Sequence, residues 1–237
     1  MVYIDFMGVL HMKKDNRVLL FDTSVLKDKD VFLKFYEKMT NERKKKIDAL
    51  KPEGSRRLCL GAGILLDRAV GLCDISFGPQ GKPYIKDADI FFNLSHSGDM
   101  AVIAVSDREV GIDIQKIKHF KDSLVDHVFN IEDRELAKEL MAELTDTGLG
   151  AGAAQHDDSS FDRVYTRMWA MKESVMKYTG KGLSLEPKKI LLRPMYRKDA
   201  SPFIHEYTCL QDPSAFYGIS VCSEYKDFGC TPEWISL

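Results

Sequence analysis

The chain has 237 residues, 44% of them hydrophobic, 30% charged and 10% aromatic, with a formal net charge of −2. That is enough apolar material for one large domain or two fused half-domains, and the near-neutral balance excludes a nucleic-acid binder driven by bulk positive charge. Five cysteines (Cys59, Cys73, Cys209, Cys222, Cys230) without a C-x-x-C pair argue against a disulfide framework or a thiolate zinc site and point to a reducing compartment.

The first residues carry Asp5 within what would be the apolar part of a leader, with no basic residue before it. The longest near-apolar run, 58–66, is interrupted by Gly61 and Gly63 and is too short for a bilayer. A cytoplasmic protein without membrane attachment is expected. Residues 2–9 read as a first strand. Residues 30–50 read as helix, because Phe32, Phe35, Tyr36 and Met39 recur at spacings of three and four, and the stretch then turns basic through Arg43 and Lys46. Pro52-Glu-Gly54 breaks it before a second helix over 55–69. Residues 75–84 read as strand, Gly/Pro turn and strand start. Short extended pieces follow at 91–94, 100–106 and 110–114. Helix is expected over 124–144, a Gly/Ala/Asp/Ser-rich flexible insertion over 145–160, and a helix over 162–178 closed by Gly180. Strands at 190–193, 204–210 and 217–222 end the chain. Helices and strands intersperse without a regular βαβ period, so the predicted class is α+β.

Several segments carry candidate chemistry. In Gly111-Ile-Asp-Ile-Gln115, residues two apart share a strand face, so Asp113 and Gln115 point one way while Ile112 and Ile114 enter the core. An edge strand ending in polar residues fits that segment equally well. In Trp169-Ala-Met-Lys-Glu-Ser-Val-Met-Lys177, the residues Trp169, Lys172, Glu173, Met176 and Lys177 make one helical stripe. A plain i, i+4 salt pair beside a packed Trp and Met also accounts for it, although three charges sit poorly in a core. Together the two segments offer oxygen ligands and lysines, which is what holding Mg²⁺ against a pyrophosphate requires. Asn93-Leu-Ser-His-Ser97 places two hydroxyls and an imidazole together, either as donors around a phosphate or as a polar hairpin loop. A hydrolase using Ser95 and His96 is disfavoured, since sequence neighbours seldom form a nucleophile–base pair and no G-x-S-x-G occurs. In Gly81-Lys-Pro83 the proline fixes the backbone around Lys82, which is a phosphate contact or a solvated lysine. Arg43, Lys46 and Arg57 on consecutive helices make a cationic patch or a solvated face.

Taken in order, G-K-P at 81–83, N-L-S-H-S at 93–97, G-I-D-I-Q at 111–115 and W-x-x-K-E-x-x-x-K at 169–177, followed by G-K-G-L at 180–183, resemble the 4′-phosphopantetheinyl transferase superfamily, in its surfactin-synthetase-type branch. The resemblance runs from about Arg43 to Leu192. It implies two similar α+β halves with pseudo-twofold symmetry, 1–107 and 108–237, and a coenzyme A cleft between them. It also implies a holo-acyl-carrier-protein-synthase type of reaction: the phosphopantetheine arm of coenzyme A moves to a serine of an apo acyl or peptidyl carrier protein of fatty acid, polyketide or nonribosomal peptide synthesis, releasing adenosine 3′,5′-bisphosphate. On this resemblance Asp113 and Glu173 are the metal ligands with Gln115 beside them, and Lys177 neutralises the transferring phosphate. Ser95 and His96 meet the 3′-phosphate with Arg57, Arg43 and Lys46 adding charge. Lys82, Pro83 and Lys172 complete the cofactor contacts, and Trp169 packs the catalytic helix. Many relatives have an acid where Gln115 stands, and an amide oxygen ligates without adding charge. Glu173 or Glu132, with Glu135 as a rival match, accepts the serine proton. A monomer without nucleic-acid or membrane partners is expected, and a catalytically silent coenzyme A-binding module of the same fold is the alternative.

Overall fold

The computed structural model describes residues 2–4, 10–12, 16–71, 75–146, 160–208 and 217–237. The expected insertion at 145–160 therefore lies almost wholly outside the described residues, as does most of the first expected strand. A short hairpin of β1 (Val2–Ile4) and β2 (Leu10–Met12) comes first. The molecule is then built from two sheets packed face to face, each with helices on its outer side.

The first sheet contains β3 (Arg17–Asp22), and α1 (Lys29–Tyr36), α2 (Asn41–Asp48) and α3 (Glu53–Val70) follow it in the chain. A hairpin of β4 (Ile75–Phe77) and β5 (Pro83–Ile85) leads to β6 (Phe91–Ser97) and β7 (Met100–Ser106). β7 pairs antiparallel with both β6 and β3. The second sheet begins with β8 (Val110–Lys116), and α4 (Asp122–Val128), α5 (Ile131–Asp146), α6 (Ser160–Tyr178) and α7 (Leu192–Tyr196) come next. β9 (Phe203–Thr208) and β10 (Tyr217–Ser223) complete it in the order β8-β10-β9. The last strand, β11 (Glu233–Trp234), crosses the division expected at residue 107 and lies parallel to β3 in the first sheet.

Period-two alternation explains the layering. Leu19, Phe21, Ala101, Ile103 and Val105 face the helices of the first half, with Leu60, Ile64 and Leu65 of α3 against them. Val18, Leu20, Val102 and Ala104 face the other way and meet Ile112, Ile114, Ile219 and Val221 of the second sheet. β7 is buried on both faces, and its unbroken apolar run Met-Ala-Val-Ile-Ala-Val is what such a position demands. The second sheet's outer face packs on α4, α5 and α6 through Phe129, Leu136, Met168, Met171 and Val175.

Local chemistry divides two segments expected as single helices. Thr40 accepts a hydrogen bond from the Arg43 amide at 3.2 Å and so starts α2 separately from α1. Asn130 and Asp133 bond reciprocally to each other's amides at 2.9 and 3.1 Å, a capping box that separates α5 from α4. The strand expected at 190–193 is instead a turn running into α7. β6 runs three residues further than expected, so Ser95, His96 and Ser97 belong to a strand and not to a loop.

That extension joins the two sheets. Asn93, Ser95 and Ser97 project from one face of β6, and their side-chain oxygens accept the amides of Ile112, Ile114 and Lys116 of β8 at 3.0, 3.4 and 3.0 Å. The outer edge of β8 is thus satisfied by side chains rather than by a neighbouring backbone.

Candidate active site

Asp113 projects from β8 toward α6, opposite to Ile112 and Ile114, as alternation requires. The approach of α6 depends on Gly111. A Cβ there would sit 2.1 Å from the Ser174 carbonyl oxygen and 2.3 Å from the Tyr178 amide nitrogen. Glycine lets the helix lie directly on the strand.

The polar groups meet around Asp113, which is 1% exposed. Lys177 Nζ lies 2.6 Å from its Oδ1 and donates to Ser95 Oγ at 2.8 Å, while Ser95 Oγ donates to the same Oδ1 at 2.7 Å. Gln115 Nε2 donates to Asp113 Oδ2 at 2.9 Å and to Glu173 Oε2 at 3.4 Å. Glu173 is pushed up to about 7, first by burial and then by the Asp113 charge, with Lys177 opposing. Two carboxylates and an amide of interchangeable ends converge on one spot, and the second negative charge is poorly tolerated there. That donor set suits a hard, oxygen-seeking divalent cation, which relieves the repulsion. Among the described residues no three His, Cys, Asp or Glu side chains form a metal-holding group.

His96 leaves β6 on the face opposite Ser95, on the side of Phe92 and Leu94, and its imidazole is held below its ordinary value by partial desolvation, with Lys177 adding to the effect. Phe92 and Leu94 line a cavity of about 400 Å³ whose wall also includes Arg43, Lys46, Phe77 and Pro83. Lys46 stands 4.0 Å from the Phe77 ring centroid, and the Arg43 guanidinium reaches to 3.9 Å of Cys59 Sγ. Gly63 makes room for both Met39 and Arg43 at this wall.

A family model described as the 4′-phosphopantetheinyl transferase superfamily matches residues 109–222. A 4′-phosphopantetheinyl transferase of Bacillus subtilis is 36% identical over 171 residues, covering 68% of this chain and 69% of its own length. The 4′-phosphopantetheinyl transferase Sfp of Bacillus subtilis strain 168 is 33% identical over 172 residues, covering 69% and 68%. The 4′-phosphopantetheinyl transferase AcpT of Salmonella typhimurium is 36% identical over 138 residues, covering 56% of this chain and 64% of its own. This chain belongs to the 4′-phosphopantetheinyl transferase superfamily.

For a chain of this superfamily, the structure regroups the expected residues. Asp113, Gln115, Glu173, Lys177 and Ser95 form one cluster. Arg43, Lys46 and Pro83 form the cavity beside it, and His96 stands on that same side of β6. Strand alternation sends the Ser95 and His96 side chains to opposite faces of β6.

Three of the expected cofactor contacts have partners within the protein. Arg57 faces away from the cavity, and its guanidinium lies 3.7 Å from Asp99 Oδ1. The Lys82 ammonium is spent on Glu109 at 2.5 Å and on the carbonyls of Val110 and Tyr178 at 3.2 and 3.1 Å, tying the β4–β5 hairpin to the seam between β8 and α6. Lys172 is 0% exposed and pairs with buried Asp133 at 2.7 Å, with the Pro187 and Ile190 carbonyls at 2.8 and 2.9 Å. One residue on the helix is a turn of about 100°, enough to send Lys172 into the core while Glu173 faces the Asp113 cluster. Lys172 therefore braces α6 against the start of α5 and the 187–190 turn. Glu132 is exposed at the start of α5, and Glu135 pairs with Lys138 at 2.7 Å on its surface. Trp169 packs half-buried in the second core, as expected. Asp133 went unnoticed in the sequence, though the N-x-x-D spacing from Asn130 was a visible capping signal.

Proposed function

We propose that the protein is an Mg²⁺-dependent 4′-phosphopantetheinyl transferase, moving the phosphopantetheine arm of coenzyme A to a serine of an apo acyl or peptidyl carrier protein. The convergence of Asp113, Glu173 and Lys177, from two elements about 60 residues apart, carries this reading. The carrier serine oxygen bonds to the phosphorus bearing pantetheine, the pyrophosphate bridge breaks, and adenosine 3′,5′-bisphosphate leaves. Bound Mg²⁺ supplies charge neutralisation on the pyrophosphate. Asp113 and Glu173 would hold it, with the Gln115 amide oxygen available as a third ligand. Lys177 neutralises the phosphate in transfer, held in place by Asp113 and Ser95. The cavity at Arg43, Lys46 and Phe77 takes the nucleotide, with cationic groups for a phosphate and an aromatic ring for the base, and His96 stands on the same side of β6 as its Phe92 and Leu94 wall. Such a reaction depends on positioning and charge rather than on a covalent enzyme intermediate. The two halves, 1–107 and 108–237, each supply one side of this site.

The test is direct. The protein is incubated with coenzyme A, Mg²⁺ and apo-carrier proteins of fatty acid, polyketide and peptide synthesis, and the carriers are weighed. A gain of one phosphopantetheine arm is expected on at least one carrier. No gain on any carrier would remove the transferase reading and leave a silent coenzyme A-binding module.

A further inference from the structure

Away from the cleft, β9, the turn after α7 and the chain's last segment enclose an open hollow of about 720 Å³, lined among others by Lys198, His205, Tyr207, Asp227 and Cys230. Lys198 occupies the left-handed backbone region at φ +65°, where a non-glycine residue is held under strain. Its Nζ donates to the Ile204 carbonyl and to His205 Nδ1, the latter at 3.0 Å. His205 Nε2 lies 2.9 Å from the Tyr225 carbonyl, which accepts only a hydrogen bond, so the ring carries its proton on Nε2 and offers Nδ1 as the acceptor. The order is amine, imidazole, orienting carbonyl, the arrangement by which a nucleophile is activated through a neighbouring base.

We propose that Lys198 and His205 form an amine–imidazole pair that takes an acyl group from activated acyl donors entering this hollow. With a thioester donor, the Lys198 nitrogen bonds to the acyl carbon and the C–S bond breaks with its electron pair on sulfur. The surplus proton passes from nitrogen to His205 Nδ1 and from there to the departing thiolate, leaving an amide and a thiol. An acyl phosphate reacts in the same way, with C–O cleavage and phosphate as the leaving group.

The environment supports a neutral amine. Lys198 is lowered to about 8 by burial, which outweighs the opposing pull of Asp227 and the Cys222 thiol. His205 is lowered to about 4, again by burial first and then by the Lys198 charge, so the ring is neutral and its Nδ1 accepts the Lys198 hydrogen bond. At pH 8 an amine of that basicity has roughly 150 times the neutral fraction of an ordinary lysine. Nucleophilicity falls with basicity, so only part of that gain in neutral amine is expressed as rate.

The full-length protein is treated at pH 8 with S-acetyl-N-acetylcysteamine and, separately, with acetyl phosphate, and acetylation of each lysine is followed by peptide mass spectrometry. Lys198 is expected to react faster than exposed Lys181 and Lys188 with at least one donor, and whether one or both work names the source. The excess is expected to shrink above about pH 10.5, where every lysine is neutral. His205→Gln is expected to bring Lys198 down to the rate of the exposed lysines. A wild-type Lys198 no faster than Lys181 and Lys188 with either donor overturns the proposal, as does an excess untouched by His205→Gln in a variant whose circular dichroism is unchanged.

Discussion

Replacing Gly111 by alanine adds one methyl group at the tightest contact between β8 and α6. The new carbon would lie 2.1 Å from the Ser174 carbonyl oxygen, 2.3 Å from the Tyr178 nitrogen and 2.8 Å from its Cα. These are backbone atoms, so no rotamer change relieves the clash. Strand and helix must separate by roughly 1 Å to restore an ordinary contact. Ser174 and Tyr178 flank Lys177 and follow Glu173 on the same helix, so the separation draws both away from Asp113. Overpacking of this kind costs about 1–3 kcal/mol of stability. A misplacement of about 1 Å at a catalytic constellation costs on the order of 100-fold in rate. The assay is carrier modification at saturating coenzyme A over a range of Mg²⁺, together with urea denaturation. Gly54→Ala is the control, because a Cβ there meets nothing closer than the Arg57 guanidinium at 3.7 Å. Full activity and unchanged Mg²⁺ dependence in Gly111→Ala would refute the argument that this glycine sets the distance between the two halves of the ligand set.

Other consequences can be measured separately. Lys172→Met leaves Asp133 as an unpaired buried charge and is expected to cost about 3–5 kcal/mol in urea denaturation. Adding Asp133→Asn should cost less than the two single changes summed, and strict additivity would deny the pairing. Gln115→Glu places a third carboxylate beside Asp113 and Glu173, so half-saturating Mg²⁺ should fall and the melting temperature in EDTA should drop. If neither moves, residue 115 does not contribute to the ion's site. Because Glu173 is raised to about 7 from an ordinary value of 4.5, the folded state binds this proton more tightly than the unfolded chain. Its contribution to stability is full below about pH 4.5 and is lost as pH rises through about 7, so the melting temperature in EDTA should decline over that window. Glu173→Gln should flatten the decline, and parallel curves for the two proteins would show that another group titrates.

Local periodicity made some of the site readable in the sequence. The period of two set Asp113 against Ile112 and Ile114, and the i, i+4 spacing put Glu173 and Lys177 on one helical face. Neither pattern reports what a side chain meets across the fold. Lys172 and Glu173 are neighbours in the same motif, yet one is a core strut and the other joins the Asp113 cluster, because Asp133 lies 39 positions away and only packing brings it near. Arg57 and Lys82 illustrate the same limit. Each is a cation in a plausible place, and each is claimed by an acid, Asp99 or Glu109, that no local rule couples to it. The segment holding Ser95 and His96 departs from its expected loop for a different reason. The polar run 93–97 has a loop-like composition, but its alternate members bind the amides of β8, and that makes it a strand.

The side-chain rungs from Asn93, Ser95 and Ser97 also bear on solubility during folding. β6 and β8 each end a sheet, and an open edge is a template on which a second molecule can add a strand. Here the hydroxyl and amide groups of one edge occupy the amides of the other, so that β8 offers no free row of donors along this stretch to an intruding chain. Ser95 serves both purposes, shielding an edge with one contact and holding Lys177 and Asp113 with others. Removing it should be felt in aggregation on refolding as well as in turnover.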